Sequence, residues 1–410
     1  MTRLFSPGVR VLCVGNMYPP HDLRGGYELT WRSSVLHLRA RGDEVRVLTT
    51  DYRSPDVASD AELDDGVHRE LRWYWRDHAF PRFSARERLA IERHNAAVFD
   101  ALAARFRPEV VVWWGMGGMS LGLVERARRS GLPAVGVVGD EWLRWGPRAD
   151  GWLRPLRRVP ALPWLAERLT GLPARVDLDS AAVWLFNSET VREKTRASGL
   201  TLPRSEVVHP GVDDQLFQPH EPLPWRWRLL SLGRLDPRKG VDLAVDALAL
   251  LPQQATLVVQ GSGGSADYGA ALRERAAASG VADRVEFSTV PRERLPELIA
   301  DSDALLFPVQ WDEPWGLVPL EAMAVGRPVA ATGTGGSREY LEHERNCLIY
   351  SPKESAEALA AAVRRLADDQ SLRETLRRGG FEVASRYSES AYNDAIARAL
   401  EMACSASVTV

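Results

Sequence analysis

Hydrophobic positions along the chain alternate between two patterns. Short apolar runs are separated by longer stretches in which apolar residues recur at helical spacing. In the first half the runs are Val9–Val14, Val45–Thr49, Val110–Trp114, Ala134–Val138 and Ala182–Phe186, with helical patterns at Glu28–Ala40 and Arg86–Arg105 between them. Strand-like runs alternating with helices are the signature of βαβ units and a parallel, doubly wound sheet. The segment His68–Trp75 alternates polar and apolar residues and predicts one more, half-buried strand. The second half repeats the theme. Strands are predicted at Leu229–Leu232, Ala255–Gln260, Arg284–Phe287, Ala304–Pro308 and Pro328–Ala331. Helices are predicted at Val241–Leu251, Tyr268–Ala278, Glu293–Asp301, Leu317–Val325 and Ser355–Asp368. The expected fold class is therefore α/β, with two Rossmann-like doubly wound domains. Between them Pro210–Pro224 is rich in Pro, Asp and Gln and reads as the linker. That divides the chain at 1–215 and 216–387. A last helical pattern, Ser390–Ala403, follows the second domain, and periodicity alone does not say where it packs.

A length of 410 residues suits two cores, and 45% apolar content supplies them. The net charge of −3 offers no bulk attraction for nucleic acid. The three cysteines, Cys13, Cys347 and Cys404, are too far apart for a zinc or disulfide framework. No apolar run is long enough to span a membrane, and the first residues read as a strand rather than a signal. The expected location is cytoplasmic. Of 52 basic residues only Lys194, Lys239 and Lys353 are lysines, which draws attention to each of them.

Three loops carry candidate chemistry. The strongest runs Glu313-Pro-Trp-Gly316-Leu-Val-Pro-Leu-Glu321, after a predicted strand and into a predicted helix. A helix start offers free backbone N–H groups and positive dipole character, and Gly316 lets a ligand approach them. A sugar diphosphate suits this arrangement. Glu313 would hold sugar hydroxyls, the amides of Gly316, Leu317 and Val318 a phosphate, and Glu321 a ribose. The plainer reading makes Glu313 a helix-start acid and Glu321 a solvated one. The second loop, Gly233-Arg234-Leu-Asp-Pro-Arg-Lys239-Gly240, follows the strand Leu229–Leu232. Its cations complement a diphosphate, although a solvated basic turn has the same composition. The glycine spacing is not that of a Walker motif. The third, Pro19-Pro20-His-Asp-Leu-Arg24-Gly25-Gly26-Tyr-Glu28, joins the first strand to the first helix. Gly25 and Gly26 would let amides reach an anion or sugar, or simply make the turn. Gly261-Ser-Gly263-Gly264 is a weaker signal of the same kind.

Taken together these motifs resemble the retaining family 4 glycosyltransferases of the GT-B fold. The resemblance rests on the Glu313 and Glu321 pair, the Gly233–Gly240 loop, the early Gly-Gly-x-Glu loop, Pro210-Gly-Val-Asp213 leading into the linker, and Gly333–Leu341. It implies a nucleotide-sugar donor, bound by the second domain across a cleft from an acceptor-binding first domain. It implies that Arg234 and Lys239 hold the diphosphate, that Glu313 contacts the sugar and Glu321 the ribose, and that Val290 lies near the base. The final helix, 388–403, would cross back onto the first domain. Transfer would proceed with retention and without a metal or other cofactor. Asp301-Ser-Asp303 fits a metal-binding DxD by letters but falls at a helix-to-strand turn, where structural use is expected.

One departure stands out. Many relatives place a histidine after the strand matching Ala134–Val138, where this chain has Gly139-Asp140-Glu141. Asp140 or Glu141 is then the candidate for an acceptor or sugar contact, or a cap for the next helix. Trp114, in Trp113-Trp114-Gly-Met-Gly-Gly, is a further acceptor-side candidate at a strand end. Trp142–Arg175 holds four tryptophans, seven arginines and two acids. That composition suits peripheral contact at the inner face of a membrane, a wall of an acceptor pocket, or packing with snorkelling arginines. Expected acceptors are a glycan, a glycolipid or lipid-linked sugar, or a small natural product. Three other readings fit the same patterns: a sugar-nucleotide epimerase, for which His209 is the one suggestive residue; a catalytically weak sugar-nucleotide-binding partner subunit; and a dinucleotide oxidoreductase, which lacks its glycine fingerprint.

Overall fold

The computed structural model describes residues 8–20, 25–52, 65–75, 79–261 and 266–407. The chain divides into two compact units. One runs up to Val208 and takes in the residues from Asn393 onward; the other is His209–Tyr392.

The first unit holds a seven-stranded sheet in the order β3-β2-β1-β4-β5-β6-β7. Its strands are β1 (Arg10–Val14), β2 (Glu44–Thr50), β3 (Val67–Leu71), β4 (Val110–Trp113), β5 (Ala134–Val138), β6 (Val183–Phe186) and β7 (Ser205–Val207). Every pairing is parallel; Val11, for example, lies between Val45 on β2 and Val110 on β4. Central strands such as β4, Val-Val-Val-Trp, are buried along their whole length. That is what helices on both faces of a parallel sheet require. The helix Ala85–Phe106 starts at a capping box, in which Ser84 and Glu87 bond each other's backbone N–H. The alternation predicted over His68–Trp75 stops pairing at Leu71. There the Asn95 amide takes both the N–H (2.8 Å) and the C=O (2.9 Å) of Arg72, and the ladder ends.

The second unit holds a six-stranded parallel sheet in the order β10-β9-β8-β11-β12-β13. The strands are β8 (Arg228–Leu232), β9 (Thr256–Gln260), β10 (Val285–Ser288), β11 (Ala304–Phe307), β12 (Val329–Ala331) and β13 (Leu348–Ile349). Alternate side chains fill two cores, one on each face. Leu229, Leu257, Val259, Leu306 and Ala330 belong to one; Leu230, Val258, Leu305, Val329 and Ala331 belong to the other. The segment read as a linker is fastened down at its start. Val212 bridges Ser388, Phe217 is buried, and Trp315 Nε1 donates to Pro210 O at 2.9 Å. Asp301 and Asp303 are structural. Asp303 accepts from the N–H groups of Arg226 and Arg228, and Asp301 pairs with both of those side chains.

The last helix, Glu389–Ser407, is tied to the helix Gly26–Ala40 within the first unit. Asn393 accepts from Ser34 Oγ (2.6 Å) and donates to Ser33 Oγ (2.9 Å), and Arg41 pairs with Glu401. Among the described residues no helix is long and apolar enough to cross a membrane.

Candidate functional site

In both sheets the strand order reverses beside the first strand, between β1 and β4 and between β8 and β11. Ligands of open α/β sheets bind beyond the carboxyl ends of the strands at such points. The loops that leave those strands hold most of the candidate residues.

In the second unit, Arg234 follows β8 directly. It is half-buried; its side chain makes no hydrogen bond or ion pair among the described residues, although its charge reaches Asp236. Asp236, two positions on, is engaged by Arg238, whose hydrogen bonds hold its carboxyl down at about 2. Arg238 in turn stacks on Trp311, 4.4 Å from the ring centre. Lys239 reaches across to the loop after β11. Its Nζ lies 2.7 Å from Glu313 Oε2, and Trp311 Nε1 donates to the same oxygen at 2.9 Å. The other oxygen of Glu313 accepts nothing among the described residues. Glu313 is only 8% exposed and Glu321 only 4%, so Glu321 is not the solvated acid of the plainer reading.

The helix Leu317–Val325 begins beside this pair. Gly316 is its N-cap at φ 88°, a left-handed conformation that suits glycine, and no side chain caps the first turn. The N–H groups of Leu317 and Val318 thus lack a capping side chain. Glu321 Oε1 accepts from Arg292 at 3.0 Å. Arg292 lies on the loop after β10, as does Val290. Gln260 grips Val290 through its N–H (3.0 Å) and C=O (3.2 Å). The stretch Gly333–Leu341 buttresses the Glu313 loop. Gly336 N–H donates to Glu313 O at 2.6 Å, Thr334 Oγ1 to Trp311 O at 2.7 Å, and Tyr340 OH to Gly316 O. Gly335, at φ 63°, packs so closely on Glu313 that a Cβ would lie 2.4 Å from its carbonyl oxygen. Sequence reasoning did not single out Arg292, Gln260 or Trp311. Arg292 and Gln260 work through partners distant in sequence, and Trp311, although two positions from Glu313, is marked only by the distant Arg238 that stacks on it, so no local spacing signals them.

In the first unit, Gly25 caps the helix Gly26–Ala40 in extended backbone. The Glu28 carboxylate folds back to this turn, where a Cβ on Gly25 would meet it at 2.3 Å. Residues 21–24, with Arg24, and 262–264 lie outside the described residues. Trp114 is 1% exposed and stacked on Trp31, with ring centres 5.6 Å apart. The expectation that it meets an acceptor directly is corrected: it is a floor under the loops. Gly139 faces the Tyr27 ring, and a Cβ there would lie 2.1 Å from it. Tyr27 is fixed from both ends, its OH donating to Val137 O at 2.8 Å and its ring lying 5.6 Å from Trp114. Asp140 accepts from Trp142 N–H at 2.9 Å at the start of the next helix. Burial, with the charge of Glu141 adding, raises its carboxyl from 3.8 to about 6. Glu141 is occupied by Arg144 and by Lys194 at 3.2 Å.

Two Rossmann-like units, each with its ligand loops at a switch point, make the GT-B architecture of glycosyltransferases. Solved structures agree in fold. Anabaena HepE in complex with UDP superposes with a TM-score of 0.71 at 20% identity, covering 96% of this chain and all of that one. Sucrose-phosphate synthase from Thermosynechococcus elongatus gives 0.70 at 21% identity, covering 95% and 98%. At the level of sequence, Glycosyltransferase Family 4 matches residues 24–216 and Glycosyl transferases group 1 matches 213–383. A D-inositol 3-phosphate glycosyltransferase of Jonesia denitrificans is 34% identical over 393 residues, covering 85% of this chain and 84% of its own. A GDP-mannose-dependent alpha-(1-6)-phosphatidylinositol monomannoside mannosyltransferase of Mycobacterium tuberculosis is 28% identical over 390 residues, covering 88% and 90%. The chain belongs to the family 4 glycosyltransferases and is a glycosyltransferase enzyme.

Proposed function

We propose that this enzyme moves a hexosyl group from a UDP- or GDP-sugar onto a glycan, a lipid-linked sugar or a small natural product, with retention and without a metal. One observation carries the donor reading: Arg234, half-buried and with no side-chain hydrogen bond or ion pair among the described residues, stands in the loop whose Lys239 is paired to Glu313 beside an uncapped helix start. Two guanidinium or ammonium groups and a set of free amides are what a diphosphate needs. The relatives support the same chemistry, one being GDP-mannose-dependent by name and HepE having been solved with UDP.

The proposed step breaks the bond between the sugar C1 and the diphosphate oxygen, which departs with the electron pair. Arg234, Lys239 and the amides of Gly316–Val318 stabilise the charge that grows there, in place before the reaction begins. Glu313 holds the sugar hydroxyls through its unoccupied oxygen, and Glu321, steadied by Arg292, holds the ribose. The acceptor oxygen bonds to C1 on the same face, and its proton passes to the departing phosphate. No separate general base is then needed. A lipid-linked acceptor is favoured among the three classes by the exposed apolar side chains Trp164, Leu165 and Leu169.

Calorimetric titration with UDP and GDP, then with their sugar conjugates, tests this. One nucleotide is expected to bind selectively and Arg234→Ala to lose it. Lys239→Ala should lower turnover by about 10²-fold, the scale of one lost transition-state donor. Binding of neither nucleotide, or unchanged binding by Arg234→Ala, would reject the donor site.

A further inference from the structure

The helix Leu162–Thr170 is inverted relative to most surface helices, which bury an apolar stripe and present a polar face. Its outward side is Trp164, Leu165, Arg168 and Leu169, adjacent at helical spacing and all exposed, Trp164 by 55% and Leu169 by 73%. Val159, just before the helix, is exposed as well. The half-buried side carries Glu167. Its carboxylate accepts from Arg129 (2.8 Å), Arg175 (2.6 Å) and the N–H of Ala174 (2.9 Å). A polar clamp thus faces inward and fixes an apolar face outward. Of the other tryptophans singled out in this stretch, Trp142 and Trp152 are core residues.

Beside the helix lies a cavity of about 390 Å³, walled by Arg144, Arg148, Arg157 and Arg175 among apolar side chains such as Leu143 and Leu153. Arg144 and Arg175 are paired to Glu141 and Glu167. The Arg148 and Arg157 side chains make no hydrogen bond or ion pair among the described residues. The two acids of Trp142–Arg175 offset them only in part, the charge of Arg157 acting on Asp150 without a direct contact. Glu167 is shared between arginines, and Asp150 is buried with its oxygens on the N–H groups of Leu121, Trp152 and Leu153. The face therefore combines protruding apolar groups with guanidinium groups that no carboxylate pairs directly. The first suit the boundary between headgroups and acyl chains, and the second suit phosphates.

We propose that this face of the first unit docks on an anionic phospholipid bilayer. Trp164, Leu165 and Leu169 enter the boundary layer, and Arg148 and Arg157 take lipid phosphates in the arginine-walled cavity. This deepens the lipid-linked acceptor reading and is independent of the donor site. The test is co-sedimentation of the full chain with vesicles of phosphatidylcholine alone and of phosphatidylcholine mixed with phosphatidylglycerol. Binding is expected to the mixed vesicles and to be about tenfold weaker or absent on the neutral ones. The double variants Trp164→Ser/Leu169→Ser and Arg148→Gln/Arg157→Gln should each lower affinity for mixed vesicles by about tenfold or more. All four positions are exposed, so thermal stability and nucleotide binding should stay at the parent values, which separates this outcome from a failed donor assignment. No binding to mixed vesicles, equal binding to both kinds, or parental affinity in either variant would overturn the proposal. So would variants that raise KM for a water-soluble acceptor while leaving vesicle binding intact, which would make the face an acceptor wall.

Discussion

Gly139 and Tyr27 are a matched pair, packed into one volume. The ring of Tyr27 fills the volume that a side chain at position 139 would take. Its hydroxyl is anchored on Val137 O, in the strand that leads to Gly139. Gly139→His should therefore overpack the end of β5 and cost about 1–3 kcal/mol of stability. Tyr27→Ala added to Gly139→His should recover much of that loss. Thermal denaturation of the two single variants and the double reads the coupling directly; additive effects would mean that the two positions do not compete for the same space. None of this was legible in the sequence. There the glycine registered only as a missing histidine, because the residue that fills its place is more than a hundred positions away.

Individual elements carry polar groups that their sequence pattern does not explain. The helix Ala85–Phe106 buries Glu92, whose Oε1 accepts from Tyr74 OH at 2.7 Å. Burial, reinforced by the charge of Asp150, pushes the Glu92 carboxyl up from 4.5 to about 8. Folded protein thus holds a proton that the unfolded chain gives up near 4.5. This contribution to stability is complete below that pH and is lost as pH rises through about 8. The melting temperature should fall between about pH 5 and pH 9, and Glu92→Gln should flatten the decline. An unchanged slope in that variant would assign the dependence to other groups. The sequence did reveal the helix itself, through its 3.6-residue period over Arg86–Arg105. Less visible were Gly122–Arg129, Glu189–Arg196 and Gln370–Arg386. The first two are short and rich in charge, and the last is interrupted by Gly379 and Gly380.

For the molecule as a whole, the proposed chemistry assigns the neutralising of diphosphate charge to Arg234, Lys239 and the helix start at Gly316. Turnover should then be unchanged by EDTA and by added magnesium; complete loss with EDTA, restored by magnesium, would transfer that role to a metal. The sequence by itself determined the alternation of strand and helix, the parallel character of both sheets and the loops at their carboxyl ends. These follow from short-range periodicity and from glycines placed at turns, which act within a few residues. It also marked Arg234, Lys239, Glu313 and Glu321 as candidates. Only the tertiary structure decided which of these touch. It paired Lys239 with Glu313 and Arg292 with Glu321, closed Gln260 on Val290, sank Trp114 beneath its loop, and turned the apolar face of Leu162–Thr170 outward. The reason is physical. Ion pairs, ring contacts and burial join residues tens to more than a hundred positions apart, and pattern along the chain constrains only near neighbours, leaving those pairings to the packing of whole elements.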